Sequence, residues 1–565
     1  MLIFTRAPKE AFSEELARIH KGQPFQEDAY NLAQQAQGDE WILCLRAPRF
    51  ARADSRGGWF SPVPQQVEVV GPAQRPSALL SLGPSQWPDA WPSPVPEALA
   101  RQSKLASHTC KVGGQVRDQL LAQQNGVSAP PQRDRDWLSL LSASEMEALG
   151  FEEVGQSFAV FLHPLSREEY ALPRVGQAHT NSLQEDLRHR DLTINAIAEW
   201  PDGTLYDPLG GARDLEQGIL RVPDESAQRD GQRSCTFADD PVRILRLARF
   251  QSQLPGSWHI SDDTRALARE HAHLLDGIPG ERLIADIWKA FGDSPWDETA
   301  SSAETGPVQF WRTLDDLGAL GWVAPEVEAL KQIPENPAHH PEKWSFAHSL
   351  LALEQACHLT QDRSQRMAAL LHDLGKAKTD PAHWPLHAEH EEKGVEPLQK
   401  LAERWRMPKA PHQTAERFMR VHMKLQKYDQ LRPGTKARLI EQLGLHKDPS
   451  QAPIYQRLSL ADRKGRLQEE NGKLPAIEPH ALEHLPAYEL ERDAWLVHAV
   501  RAQDAVGPDR DLQLVSGKKI GAMLQQMRAE VILYAQTPEQ APPALQAVYE
   551  RLDWDPRLTD CAPAP

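Results

Sequence analysis

The amino-acid sequence predicts an α+β protein, with a small mixed head followed by an all-helical body. Three observations support this. From about residue 108 the chain alternates strand-like runs (TCKV, DWLSLL, SFAVFLHP, EEYAL) with one helix-like stretch, QVRDQLLAQ, entered through Gly113-Gly114. After residue 185 it reads as almost entirely helical to near its end. In the segment DDPVRILRLARF, helical placement puts Ile244, Leu245, Leu247 and Ala248 on one arc, and Arg243, Arg246 and Arg249 on the other. A mixed segment followed by a helical one is the pattern of an α+β chain.

Bulk properties narrow the classes. At 565 residues several domains are expected. Residues 1 to about 70 mix short apolar pieces (MLIF, EWILCL, QVEVV) with polar turns, as a small α+β unit would. Residues 71–97 are punctuated by proline and carry Trp87 and Trp91, which reads as a linker or irregular arm. The net charge of −16 excludes a global basic field, so a nucleic-acid partner would need a local basic surface. The five cysteines are scattered, form no CxxC pair, and fit the reduced thiols of a cytoplasmic protein. The first residues show no signal-peptide pattern, and no run approaches the ~20 apolar residues of a membrane helix.

Four constellations carry chemistry in the first half. In VGGQVRD (112–118) a glycine pair between strand and helix lets backbone N–H groups approach a phosphate, with Gly114 and Arg117 as contacts. Asp134 and Asp136 flank Arg135; on a strand, residues two apart share a face. Two adjacent carboxylates repel unless a cation lies between them, and hard oxygen ligands suit Mg²⁺ in phosphoryl transfer. Arg190 and Asp191 lie in RHRDLTINAIA (188–198), before DGTLYDPLGGARDL (202–215). Asp240 and Arg243 stand three apart, close enough on a helix to act together, and three arginines on one arc suit a triphosphate.

These motifs, with EEVGQSFAVFLHP and EEYAL, occur in the order found in class II tRNA nucleotidyltransferases and the related bacterial poly(A) polymerases. From about residue 108 to 535 the chain most resembles the proteobacterial CCA-adding enzymes that carry an HD domain. The resemblance implies a polymerase-β-like nucleotidyltransferase head with Asp134 and Asp136 as catalytic Mg²⁺ ligands. It implies nucleotide contacts from Gly114, Arg117, Arg190, Arg246 and Arg249, and reading of the incoming base by Asp240 and Arg243. The implied reaction is template-independent addition of C and A to the 3′ end of tRNA, from CTP and ATP, with release of pyrophosphate. Three departures stand out. His189 precedes Arg190 where the family has a second arginine. Asp239 replaces the usual glutamate. The segment 173–187 is shorter than the family's loop, which governs the switch from C to A addition. An insert also occupies 225–236.

The helical body holds His348 in WSFAHS, His372-Asp373 in AALLHDLGK and Asp462, with His387, His390 and His422 as further candidate ligands. Adjacent nitrogen and oxygen ligands, joined by a further His and Asp, can hold a borderline divalent transition metal. The H…HD…D order resembles the HD phosphohydrolases and implies hydrolysis of phosphate monoesters or 2′,3′-cyclic phosphates. The expected organisation is an N-terminal extension (1–107), the head with its nucleotide-binding helix (108–250), a helical neck and RNA-binding region (251–335), the HD metal domain (336–470) and a helical tail (471–565). The competing readings are a poly(A) polymerase or A-only enzyme, an HD phosphohydrolase with a degenerate RNA-binding head, and a non-catalytic RNA-binding protein.

Overall fold

The computed structural model describes residues 104–552 apart from 106, 131–135, 155–158, 164–167, 174–182, 224–227, 230–231, 234–235, 297–304, 469–471, 479 and 508–511; before residue 104 it describes the backbone of four strands. Asp134, Trp87, Trp91, most of the 173–187 segment and part of the 225–236 insert therefore lie outside the described residues. The chain divides into two compact units, residues 1–236 with 258–264, and residues 237–257 with 265–565. Among the described residues no helix is long and apolar enough to cross a membrane.

The first unit contains two main sheets. Strands β1 (Leu2–Phe4), β2 (Ile42–Arg46), β3 (Gln66–Val70) and β4 (Leu80–Leu82) form an antiparallel meander in chain order. The three apolar pieces of the N-terminal region thus become β1–β3, while β4 falls inside the stretch expected to be a linker. The head sheet is built from β5 (Thr109–Val112), β6 (Asp136–Ser139), β7 (Glu152–Glu153), β8 (Val160–Leu162), β9 (Glu169–Ala171), β10 (Ala198–Glu199) and β11 (Leu205–Tyr206). Their order is β11-β10-β5-β6-β9-β8-β7, with β6 and β9 parallel and the other pairs antiparallel. One face buries Leu138 with Cys110, Val112, Leu187, Ala196 and Ala198. Trp137, pointing the other way as strand alternation requires, stacks on Tyr170 with ring centroids 5.6 Å apart.

The near-continuous helix expected after residue 185 does not form. RHRDLTINAIA passes through a single 3-10 turn, Thr193–Asn195, into β10, and Ile219–Leu220 pairs in parallel with His259–Ile260. Strands of two residues are too short to show a period of two, so an apolar run such as INAIA reads equally well as helix or strand.

The second unit is helical. Helix α2 (Val242–Gln253; α1 is Gly114–Asn125 of the head) buries Ile244, Leu245, Leu247 and Ala248 and leaves Arg243, Arg246 and Arg249 half-buried, as the helical spacing predicts. Helix α3 (Gly280–Ala290) packs beside it. Further along, α4 (Ser345–Leu359) lies against α8 (Ala452–Lys464), and α5 (Arg363–Leu371) against α7 (Lys409–Leu425), with the single turn α6 (His390–Lys393) beside α7. Asp362 caps α5 by accepting hydrogen bonds from the N–H groups of Ser364 and Gln365 at 2.7 and 3.1 Å.

Arg366 on α5 is 1% exposed and fastens this bundle to the segment after α3. Its guanidinium donates to the carbonyls of Thr360 and Phe291 at 2.8 and 2.9 Å and to Asp293 at 2.5 Å. Replacing it by methionine keeps the volume but strands buried acceptors, each worth about 1–3 kcal/mol. We expect Arg366→Met to lower the unfolding free energy of the helical unit by roughly 2–4 kcal/mol, read from the urea midpoint by far-ultraviolet circular dichroism. An unchanged midpoint would remove Arg366 from this role.

Candidate functional site

In the head, the sequence Val112-Gly113-Gly114 ends β5 and starts α1. Gly113 has φ +76°, a conformation that side-chain-bearing residues rarely adopt. A Cβ placed on it would lie 3.1 Å from Arg190 Nη1 and 3.4 Å from Asp136 Oδ2. The absent side chain therefore lets a carboxylate and a guanidinium converge over the start of a helix, where N–H groups lack intrahelical partners. The Gln115 amide donates to the Asp136 carbonyl at 2.8 Å, holding β6 against α1. Arg190 is steadied by the buried Asp186, its Nη2 3.1 Å from Oδ2.

Arg117 is 8% exposed and turned inward. Its Nη1 donates to Asn195 Oδ1 at 2.8 Å and its Nε to Asp118 at 2.8 Å, and Asn195 in turn donates to Asp191. The motifs VGGQVRD and RHRDLTINAIA are thus joined by one polar chain, Asp118–Arg117–Asn195–Asp191.

On α2 the predicted acid–arginine motif meets partners that sequence reading missed. Arg282 Nη2 donates to both oxygens of Asp240, at 2.9 and 2.8 Å, and Arg249 Nε donates to Asp286 at 2.8 Å. Two reciprocal pairs therefore tie α2 to α3. The Arg246 and Arg249 guanidinium carbons lie 5.6 and 4.7 Å from the Phe250 ring centroid. The missed signal was the spacing of Arg282 and Asp286, one helical turn apart in GERLIAD.

The helical unit brings the expected metal ligands together. His348 sits in the first turn of α4, His372 caps the C-terminus of α5 with Asp373 next to it, and Asp462 lies in the last turn of α8. His390 opens α6, and His422 lies in the last turn of α7. All six are buried. His348 Nε2 is 3.2 Å from Asp462 Oδ1, and His372 Nε2 is 3.1 Å from Asp373 Oδ2 and 3.7 Å from Asp462 Oδ1. The Nδ1 atoms of His348, His372, His390 and His422 face the carbonyls of Gly465, Ala369, His387 and Met419 at 2.7–2.9 Å. Carbonyls only accept, so each Nδ1 carries the proton and each Nε2 lone pair points into the cluster, the arrangement of metal-bound histidines. Among the described residues, His372 Nε2 and both oxygens of Asp373 are buried without a well-directed hydrogen bond. A divalent cation fits this donor set. His387 stays outside it: its ring nitrogens face the Pro334 carbonyl and the Thr379 hydroxyl at 2.8 and 2.9 Å.

The surrounding charges, also missed from sequence, give the cluster its electrostatics. Lys376 Nζ lies 2.8 Å from Asp373 Oδ2 and 2.7 Å from Glu335 Oε1. Glu342 Oε1 is 2.8 Å from His340 Nδ1 and 3.2 Å from His348 Nδ1. Burial alone would raise Asp373, but the charges of His372 and Lys376 hold it well below the ordinary carboxylate range. Burial would lower His348, yet Asp462 and Glu342 push it up to about 9. A pocket that draws protons onto its imidazoles in this way is electronegative and attracts cations. The visible clues were the lysine of HDLGK and the acid–histidine run ENPAHHPEKW.

Two family models match these regions: the Poly A polymerase head domain over residues 162–221 and the HD domain over residues 345–463. The multifunctional CCA protein of Methylococcus capsulatus is 39% identical over 442 residues, covering 74% of this chain and 93% of that protein. Its counterpart in Acinetobacter baumannii (strain AYE) is 36% identical over 439 residues, covering 74% and 96%. The CCA-adding enzyme of Bacillus stearothermophilus, solved with CTP, is 20% identical with a TM-score of 0.49, over 83% of this chain and 100% of that one. Nearly the whole length of the two multifunctional proteins is thus matched at more than a third identity, across both the glycine-gated head and the histidine–aspartate cluster, and the chain belongs to the multifunctional CCA protein family.

Proposed function

We propose that the chain adds C and A nucleotides to the 3′ end of tRNA, from CTP and ATP without a nucleic-acid template, releasing pyrophosphate, and that its HD cluster is a second, hydrolytic centre. The observation behind the transferase is the convergence of Asp136 and Arg190 over Gly113 at the start of α1. Asp136, with Asp134, would hold Mg²⁺. Bound there, the ion activates the attacking hydroxyl and steadies the departing pyrophosphate. Gly113 and Gly114 let the triphosphate approach the backbone, and Arg190 offsets its charge. Arg117 and Arg249 already hold internal partners, so we assign them the steadying of α1 and α2. Arg246 is left as the nucleotide contact, and Asp240 with Arg243 as the readers of the base.

Asp136→Ala removes a metal ligand without touching the core. It should abolish nucleotide addition while tRNA binding, measured by filter retention, and folding persist. Addition at near-wild-type rates would sink the assignment.

Base choice follows from donor and acceptor chemistry. Asp240 accepts from the exocyclic amine of C or A, and Arg243 donates to their ring acceptors. U and G place a carbonyl where the amine would be, and a mismatched polar pair costs about 1–3 kcal/mol, roughly ten- to a hundredfold in rate. Asp240→Ala should therefore lose discrimination against UTP and GTP more than turnover, whereas Arg246→Ala should weaken all four nucleotides alike. An Asp240→Ala enzyme that still strictly prefers CTP and ATP would place selection elsewhere.

The second centre rests on the buried, outward-aimed lone pairs of the HD cluster, a donor set suited to a divalent transition metal. Its substrates are proposed to be phosphate monoesters or 2′,3′-cyclic phosphates. His372→Ala should lose hydrolysis and bound metal but retain nucleotide addition. Metal-free protein that cleaves neither class would make the centre vestigial.

A further inference from the structure

The six ligands of the HD cluster are not arranged around one point. Asp373 faces two different groups with its two oxygens. Oδ2 lies 3.1 and 3.8 Å from His372 and His348 Nε2. Asp462 Oδ1 closes this group at 3.2 and 3.7 Å from the same two nitrogens. Oδ1 of Asp373 lies 3.3 and 3.5 Å from His390 and His422 Nε2, which are themselves 3.0 Å apart. Ligands held about 2.0–2.1 Å from a tetrahedral ion stand roughly 3.3 Å from one another. The contacts thus sort into a four-membered set and a closed three-membered set of that edge length, sharing Asp373 alone.

The second set has its own requirement for a cation. His390 and His422 each donate Nδ1–H to a carbonyl, at 2.7 and 2.8 Å. Their Nε2 atoms therefore face each other at 3.0 Å as two lone pairs beside a carboxylate oxygen. Such a contact is repulsive unless a positive charge lies between them.

We propose that this cluster is a two-ion centre bridged by Asp373, with one divalent transition cation held by His348, His372, Asp462 and Asp373 Oδ2, and a second held by His390, His422 and Asp373 Oδ1. The proposal rests on the reading of the cluster as a hydrolytic metal centre and extends it. Charge supports it. The ligands contribute two carboxylates and neutral imidazoles, so a single divalent ion leaves the set neutral, while a pair leaves it positive and attractive to a phosphate ester. A three-ligand set keeps positions open for substrate. Two ions a few ångströms apart supply a clamp on the attacking and leaving oxygens of an in-line displacement.

The test uses the full chain carrying Asp136→Ala, so that the head does not contribute a carboxylate pair, stripped with chelator and reloaded with Mn²⁺. Elemental analysis should find about two ions per chain, and electron paramagnetic resonance an exchange-coupled pair. His422→Asn, and independently His390→Asn, should drop to about one ion and lose the coupling while circular dichroism shows the fold intact. One uncoupled ion per chain in the parent overturns the proposal whatever the variants do, and would leave a proton between His390 and His422 as the occupant. Retention of both ions in a folded His422→Asn overturns it as well. Hydrolysis assayed on the same samples separates the two claims: coupled ions without hydrolysis uphold the two-ion centre and sink the hydrolytic reading, and one ion with hydrolysis does the reverse.

Discussion

Burying two carboxylates at the heart of a helical bundle is the constraint around which the second unit is organised. Asp373 is 1% exposed and Asp462 is 4% exposed. An ionised carboxylate removed from water costs several kcal/mol unless its charge is met. The fold meets it with ligands drawn from five helix ends. Each imidazole is turned inward by a backbone carbonyl, Lys376 bridges Asp373 to Glu335, and the Gln426 amide holds Asp462 Oδ2 at 3.1 Å. The carbonyls that fix the rings are those of the helices' own last turns, at Ala369 and Met419, or of the turn preceding α6, at His387. Helix termination and ligand orientation are therefore the same event. The final carbonyls of a helix have no intrahelical partner, and the histidine three residues on supplies one.

The head solves a different problem with a smaller device. A transferase site needs negative charge for its metal and positive charge for its phosphates within a few ångströms. Placed freely, such groups would collapse into an ion pair. Here Asp136 and Arg190 approach the same backbone point from two sides, and Arg190 is already held by Asp186. The missing Cβ of Gly113 keeps that point open. On α2 the same logic appears in reverse: Asp240 is held between the helix start and Arg282, which pre-orients its acceptors at some cost in freedom.

Much of this was legible in the sequence wherever a period or a punctuating residue recorded it. The strand–Gly-Gly–helix turn, the buried and charged arcs of α2, and the His348, His372, Asp373 and Asp462 set all follow from spacing. Two kinds of feature left no such record. Strands β10 and β11 are two residues long, and INAIA has the composition of a helix until tertiary pairing with β5 decides otherwise. The partners that make the sites work, Glu335, Glu342, Lys376, Arg282 and Asp286, are defined by which helix crosses which. The 41 residues between Glu335 and Lys376 show why, since no local pattern relates them. His387 is the converse case. Its spacing in PLHAEH matches a ligand as well as that of His390 does, and only the Thr379 hydroxyl and Pro334 carbonyl mark it as a loop fastener.

The two proposed centres differ in donor chemistry, which bears on how one chain can hold both. A carboxylate pair offers hard oxygens and suits a cation that keeps much of its own water, as Mg²⁺ does. The HD cluster offers four imidazoles and two buried carboxylates, and such nitrogen-rich sets bind later first-row ions more tightly than Mg²⁺. A cell rich in the first ion and poor in the second can therefore fill each centre with little exchange between them. Burial reinforces the difference. An ion entering the HD cluster must shed its water, and the loss is offset only where fixed ligands already stand at coordinating separation, as the 3.0–3.8 Å spacings of the six side chains provide. Pre-organisation then selects for ions that bind nitrogen strongly enough to surrender that water. The open head, with its ligand on an exposed strand start, imposes no such demand.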